Sequence, residues 1–330
     1  MSKRDHGGNL DAAMAQYGGA RADWLDLSTG INPVAYPVSD LPSHVWEALP
    51  GRDALERLLN AARAFWNVPE GVSIVAAPGL SSVIMQLPGL AQDMRVHISG
   101  PTYNEYAAAY RLHGCLIEDE PDAGARVFVH PNNPDGQLWS RSVIWDQHRE
   151  LTVVDESFCD VCPKESHIAD TVEPGIMVLK SFGKFWGLGG LRLGFAIGTA
   201  HTLSRPGHGQ VAPVDLAELL GPWAVSGPAL EIGARALEDI EWAENTRRRL
   251  KQDARKLDTL MVRAGARIVG GTTLFRLYDV DDAAVWQDRL ARHHIWSRIF
   301  PYNVKWLRLG LPHPDRWEQL EKALPPSLST

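Results

Sequence analysis

From about residue 70 the chain alternates short apolar, β-branched runs with stretches whose apolar residues recur at helical spacing. The runs at 72–76, 95–99, 126–130, 151–155, 176–181 and 193–197 predict strands, and 80–91 and 103–113 predict helices between them. Strands separated by helices predict a mainly parallel sheet with helices on both faces. Such sheets hold ligands beyond the carboxyl ends of their strands, so functional side chains are expected just after these runs.

The character changes after Gly227-Pro228. Residues 229–264 predict a long helix, followed by strand-like runs at 266–269, 274–280, 295–299 and 306–309, a helix at 283–293 and a last helix from Asp315. This reads as a smaller α+β domain. The first 40 residues show little periodicity and read as an arm draped over another surface. The division expected is therefore 1–40 as an arm, 41–225 as a large α/β domain and 226–330 as the small domain, with the break near a Gly/Pro cluster.

Composition narrows the function classes. A chain of 330 residues, 45% hydrophobic and 22% charged, is long enough to bury a substantial core. Its 33 basic against 40 acidic side chains leave a net charge of -7, which argues against nucleic acid or an anionic membrane as partner. No apolar stretch approaches the ~20 residues of a bilayer span, and the first residues lack the apolar core of a secretion signal, so a cytoplasmic location is expected. The 12 tryptophans read as core and interface ballast. Three cysteines do not make a disulfide framework. Cys159 and Cys162 form a C-x-x-C with no second pair or nearby His to complete a zinc site, so no metal is expected.

The most informative segment runs from Ser181 through Lys184 to Arg192 and Gly194. It follows a predicted strand, which puts Lys184 at a sheet-end site with Ser181 and Arg192 as donors for an anion. It is not a phosphate loop, since G-x-x-x-x-G-K-[ST] is absent, nor a dinucleotide fingerprint, whose last glycine is replaced by Arg192. Three further segments end predicted strands nearby in the pattern. His130-Pro-Asn-Asn133-Pro-Asp-Gly136 is a rigid turn, Asp155 closes an apolar strand where a carboxylate needs a cation, and Tyr103 follows Gly100-Pro-Thr.

This set resembles the class I/II aminotransferase family of fold type I pyridoxal-phosphate enzymes, through the ordered S-x-x-K…R-x-G run, the N-P-x-G turn and the strand-end Asp. The resemblance implies an α/β fold with a mainly parallel central sheet flanked by helices and a smaller α+β C-terminal domain. It implies pyridoxal 5'-phosphate as cofactor, with Lys184 as the Schiff-base lysine, Asp155 on the pyridinium nitrogen, Asn133 on the ring hydroxyl and Tyr103 stacked on the ring. Ser181, Arg192, Leu80 and Ser81 would hold the cofactor phosphate, the last two at a helix start whose free N–H groups suit an anion. Lys180, inside the preceding strand, is the competing lysine but lacks the family spacing to Arg192.

Within the family, His6-Gly7-Gly8-Asn9 and Leu27-Ser-Thr-Gly-Ile-Asn32-Pro33 are similar to the branch that decarboxylates L-threonine O-3-phosphate to an aminopropanol phosphate for the cobalamin linker. A histidinol-phosphate-type aminotransferase is the alternative, and a non-catalytic binding or regulatory protein of the same fold is a third reading. His6, Gly7, Asn32 and Asn133 are the implied substrate contacts, with Arg308 and Arg298 as anion-binding arginines suited to carboxylate or phosphate. A small phosphorylated amino acid and a second copy of the chain are the implied partners. Two positions depart from the family pattern: Phe158 stands where most aminotransferases carry Tyr, and Leu49-Pro50-Gly51 stands where relatives often have Tyr-Pro-Asp.

Overall fold

The computed structural model describes residues 7–119, 123–145, 150–205, 209 and 212–324. The chain folds into two compact units. One comprises residues 36–133 and 138–243; the other gathers 1–35, 134–137 and 244–330.

The first unit is built on a seven-stranded sheet: β1 (Ser73–Ala77), β2 (Arg95–Ile98), β3 (Leu116–Ile117), β4 (Ala125–Val129), β5 (Leu151–Asp155), β6 (Ile176–Ser181) and β7 (Gly194–Gly198). Their spatial order is β1-β7-β6-β5-β4-β2-β3. The stretch from β6 through β5, β4 and β2 to β3 is parallel, while β7 runs antiparallel to both β6 and β1. β4 and β5 are buried at every position, which explains their continuous rather than alternating apolar pattern. Val83, Ile84, Leu87, Tyr106 and Tyr110 bring helices α2 (Leu80–Gln86) and α3 (Asn104–Leu112) onto Val127, Val153 and Leu179 in one core.

Two helices of this unit are less visible in the strand–helix alternation. The helix Arg52–Trp66 has a strongly one-sided apolar face of Leu58, Ala61, Ala62 and Trp66, and it packs on the helix Gly227–Glu238. Arg57 ties the pair together through Glu231 at 3.0 Å and Glu238 at 2.7 Å. The expected single helix over 229–264 is two helices, Gly227–Glu238 and Ile240–Arg263, separated at Asp239. The Asp239 carboxylate accepts the Trp242 N–H at 2.9 Å, starting the second helix as an acidic cap.

The second unit carries a four-stranded antiparallel sheet of β8 (Arg267–Gly271), β9 (Phe275–Asp279), β10 (Arg298–Phe300) and β11 (Asn303–Gly310), in the order β8-β9-β11-β10. The N-terminal stretch belongs to this unit and is more ordered than its sequence suggests. Leu10–Tyr17 is a helix, and Leu25–Asp26 pairs in parallel with Ile295–Trp296. Leu10, Ala13, Trp24 and Ala291 form a small buried cluster beneath it.

Candidate active site

In the first unit the strand-end residues converge as their positions in the parallel sheet require. Asp155 is the last residue of β5 and is buried. Its Oδ1 accepts hydrogen bonds from the Ser157 backbone N–H at 2.9 Å and the Ser157 hydroxyl at 2.6 Å, and its Oδ2 accepts from the Tyr106 hydroxyl at 2.7 Å. Burial raises the Asp155 pKa above the ordinary carboxylate value, against the pull of these donors and of the Lys184 ammonium. Lys184 is therefore close enough to act electrostatically on Asp155, and its Nζ lies 5.3 Å from the centre of the Phe158 ring. The tyrosine replaced by Phe158 leaves an apolar face under the lysine.

The loop bearing Lys184 is tightly closed. Ser181 and Gly194 are register partners of β6 and β7, and the Phe182 N–H donates to the Leu193 carbonyl at 3.1 Å. The Lys184 carbonyl accepts from Gly187, and the Trp186 carbonyl from Tyr36. The Ser181 hydroxyl oxygen accepts from the Gly183 N–H at 3.2 Å. Arg192 closes the loop with a left-handed backbone, φ 54°, an uncommon state for a side chain of this size. Its exposed guanidinium donates to the Gly189 carbonyl at 3.1 Å.

Gly79, Arg192 and Gly194 pack closely at the start of α2. Gly79 has φ 82°, and a Cβ there would run into the Arg192 guanidinium; a Cβ on Gly194 would strike the Leu80 N–H. Backbone and guanidinium thus approach each other closely only because both positions are glycine. The first N–H groups of α2, at Leu80 and Ser81, have no partner within the helix. Leu80 is buried and Ser81 exposed.

Tyr103 caps the start of α3 and sets its ring edge-on to Tyr106, 6.3 Å away. Asn133 is half-buried, and its neighbour Asn132 locks the turn by accepting from the Thr102 hydroxyl at 2.6 Å and donating to the Pro101 carbonyl at 3.1 Å. Lys180, the rival lysine, points into the protein, where its Nζ meets Glu156 at 2.6 Å and Asp160 at 3.6 Å. It is 2% exposed and committed to these carboxylates.

The second unit gathers the anticipated anion contacts around Ser28. Arg308 is buried, and its Nη2 donates to the Ser28 carbonyl at 2.6 Å. Arg298 is its register partner on the adjacent strand, so two guanidinium-bearing residues stand opposite each other. Like charges in that relation repel; burial and Arg298 together pull the Arg308 pKa well below the usual arginine range. The Ser28 hydroxyl donates to Asp26 at 2.5 Å and accepts the Gly8 N–H at 2.7 Å. Gly7 lies so close to the Ser28 carbonyl that a Cβ would collide with it. Asn32 is buried, its side-chain oxygen accepting from Arg249 at 2.6 Å and from the Val34 N–H at 3.1 Å. His6 lies outside the described residues.

Sequence reasoning missed Tyr106, Ser157, Ser28 and Arg249. Ser157 was discoverable, because a Ser two residues after an Asp is a common local turn donor. Tyr106 follows Tyr103 by one helical turn and so shares its face. Arg249 reaches Asn32 across 217 positions, and no local pattern signals that contact. Among the described residues no group of three or more His, Cys, Asp or Glu is arranged to hold a metal ion. No helix among them is long and apolar enough to cross a membrane.

Residues 117–324 match the family model of aminotransferase class I and II. The chain is 39% identical over 94% of its length to a threonine-phosphate decarboxylase of Sinorhizobium sp., covering 93% of that protein. It is 37% identical over 97% of its length to the threonine-phosphate decarboxylase of Pseudomonas aeruginosa, covering 97% of it. The fold superimposes on the histidinol-phosphate aminotransferase of Sinorhizobium meliloti, solved in complex with pyridoxal-5'-phosphate, with a TM-score of 0.78 at 19% identity, over 98% of this chain and 95% of that one. The family model covers most of the chain and the decarboxylase relatives nearly all of it, and on those grounds the chain belongs to the class I and II aminotransferase family.

Proposed function

We propose that this chain is a pyridoxal-phosphate-dependent decarboxylase acting on L-threonine O-3-phosphate. The observation that carries the reading is a buried Asp155 within electrostatic reach of Lys184, joined to near-full-length similarity to two threonine-phosphate decarboxylases. The residues fit the cofactor: a buried carboxylate lies within electrostatic reach of a lysine, and the glycine-lined start of α2 with Arg192 offers donors for a phosphate. Leu80, Ser81, Ser181 and Arg192 are assigned to that phosphate, Tyr103 to the ring face and Asn133 to the ring hydroxyl.

When bound, pyridoxal phosphate supplies the electron sink for the carbanion that decarboxylation leaves at Cα. The chain's own residues set the conditions. The Asp155 carboxylate would keep a proton on the pyridine nitrogen, and Tyr106 and Ser157 hold that carboxylate in place. Lys184 would hold the cofactor in the resting enzyme and would deliver the proton that replaces the lost carboxylate at Cα. Phe158 lies beneath its amine, with Nζ 5.3 Å from the ring centre. In the second unit, Arg308 and Arg298, with Asn32, Gly7 and His6, are assigned to the carboxylate and phosphate of the substrate. Two opposed guanidinium groups suit a substrate carrying two anionic groups, which relieves their repulsion. A cytoplasmic homodimer is part of the same proposal.

The choice between decarboxylation and transamination depends on which bond at Cα stands perpendicular to the ring. Purified protein given threonine phosphate is expected to release carbon dioxide without consuming 2-oxoglutarate. A requirement for 2-oxoglutarate, or turnover of histidinol phosphate in its place, overturns the proposal in favour of the aminotransferase.

A further inference from the structure

Behind the Lys184 loop lies a buried ionic cluster that the reaction does not explain. Lys180, Glu156 and Asp160 are 2%, 1% and 3% exposed. Burial opposes the charge on Lys180, but Glu156 and Asp160 outweigh it and its pKa is raised. Glu156 alone makes a complete partner for it: this carboxylate takes Lys180 at 2.6 Å, the Ser166 hydroxyl at 2.6 Å and the His167 N–H at 2.5 Å. Asp160 is a second buried carboxylate on the same ammonium, and a buried charge is costly unless it does something a neutral side chain cannot.

What Asp160 does is accept two indole N–H groups at once. Its Oδ1 takes Trp66 at 2.9 Å and its Oδ2 takes Trp186 at 3.1 Å. Trp186 is fully buried, two residues beyond Lys184, and stacks nearly parallel on Phe182, with ring centres 5.1 Å apart. Its other face stacks on Trp242 at 5.4 Å. Phe182 and Trp186 therefore bracket Lys184 in sequence and touch each other in space. An asparagine could accept one indole well, not two.

We propose that Asp160 is a positioning residue for Lys184: its carboxylate pins the Trp186 indole, and through the Phe182–Trp186 stack fixes the backbone that presents the lysine amine. The inference rests on the assignment of Lys184 as the cofactor lysine. Positioning of this kind matters because a displacement of about 1 Å at a reacting group can cost ~100-fold in rate.

The test uses the holoenzyme and the variants Asp160→Asn, Trp186→Phe and Trp66→Phe. Trp186→Phe keeps a ring in the stack but removes the N–H and part of the buried ring, and Trp66→Phe makes the same change to the other indole on that carboxylate, which serves as the control for lost volume. Three readouts are taken: borohydride-fixed cofactor on Lys184 by mass spectrometry, the pH midpoint of the lysine-bound cofactor's absorbance, and kcat with KM. Asp160→Asn and Trp186→Phe should each lower kcat by ~10-fold or more with KM changed by less than about twofold. They should move the absorbance midpoint by ~0.5 unit or more, and the double variant should be little worse than either alone. Trp66→Phe should lower thermal stability while leaving the midpoint in place. An unchanged midpoint in Trp186→Phe, or an equal shift in Trp66→Phe, overturns the inference while leaving the cofactor assignment intact. A wild-type enzyme with no cofactor on Lys184 overturns both. Should Asp160→Asn fail to fold, the contrast between the two tryptophan variants decides alone.

Discussion

The Tyr106 hydroxyl donates a 2.7 Å hydrogen bond to Asp155, and both side chains are buried. A tyrosine one helical turn beyond Tyr103 thus holds the carboxylate on which the proposed chemistry depends. Burial and the Asp155 charge raise the Tyr106 pKa well above its ordinary value, so it stays a donor across the working pH range.

Tyr106→Phe leaves one carboxylate oxygen of Asp155 short of a donor, a loss of about 1–3 kcal/mol for a buried group. The Asp155 pKa should rise further and its grip on the ring nitrogen weaken. Steady-state kinetics should show kcat down by ~10-fold or more and the acid limb of the pH profile moved upward; an unchanged profile refutes the role.

Asp155→Asn should separate stability from activity. Because the Asp155 pKa is raised in the folded state, its ionised form costs stability at every pH above that value, and the neutral amide removes the cost. The apo variant is expected to melt higher than wild type at neutral pH while activity falls by about 100-fold or more. A lower melting temperature would contradict the sign.

Glu156 behaves in the opposite sense. Burial opposes its ionisation, but Lys180 and the hydrogen bonds from Ser166 and His167 hold its pKa below the ordinary value. Its contribution is therefore complete above the usual glutamate range and is lost as pH falls through the folded value. Glu156→Gln should destabilise the protein at neutral pH, by less than the about 3–5 kcal/mol of a fully stranded buried charge because Asp160 still faces Lys180. Denaturant titrations from neutral to acid pH should find the gap between variant and wild type narrowing.

The opposed Arg298 and Arg308 should bind anions even without turnover. Phosphate is expected to raise the melting temperature of wild type more than that of Arg298→Gln or Arg308→Gln. For the substrate, Arg308→Gln should raise KM by ~30-fold or more, since losing one partner of a buried charged contact costs about 2–5 kcal/mol. Equal stabilisation of all three proteins by phosphate would remove these arginines from the site.

Gly79→Ala tests the cradle. The added methyl group meets Arg192 in a backbone conformation, φ 82°, that side chains rarely adopt. Cofactor affinity measured by equilibrium titration should fall by about tenfold or more, and an unaffected titration would place the phosphate elsewhere.

Much of this molecule was legible before the fold was seen. The continuous apolar runs at 151–155 and 176–181 could hardly be anything but central strands, and Asp155 and Lys184 follow from where those strands end. The antiparallel turn of β7 was not legible, because a strand's sequence records burial and not direction. The helix Leu10–Tyr17 was overlooked in a stretch read as aperiodic, although Leu10, Ala13, Met14 and Tyr17 share one face at helical spacing. Spacing to Arg192 already favoured Lys184 over Lys180, and the burial of Lys180 among Glu156 and Asp160 adds a physical reason that spacing could not supply. The roles of Ser28 and Arg249 depend on partners hundreds of positions away, which spacing cannot encode.

The antiparallel return of β7 has a consequence for how this sequence can change. Because Ser181 and Gly194 are locked opposite each other, residues 182–193 form a closed span of fixed length. Lys184 and Arg192 are read off from its two ends like marks on a ruler. Substitutions inside the span can be absorbed locally, but an insertion or deletion would slide one mark against the other. The chain should therefore tolerate drift in the letters of this segment and almost none in its length.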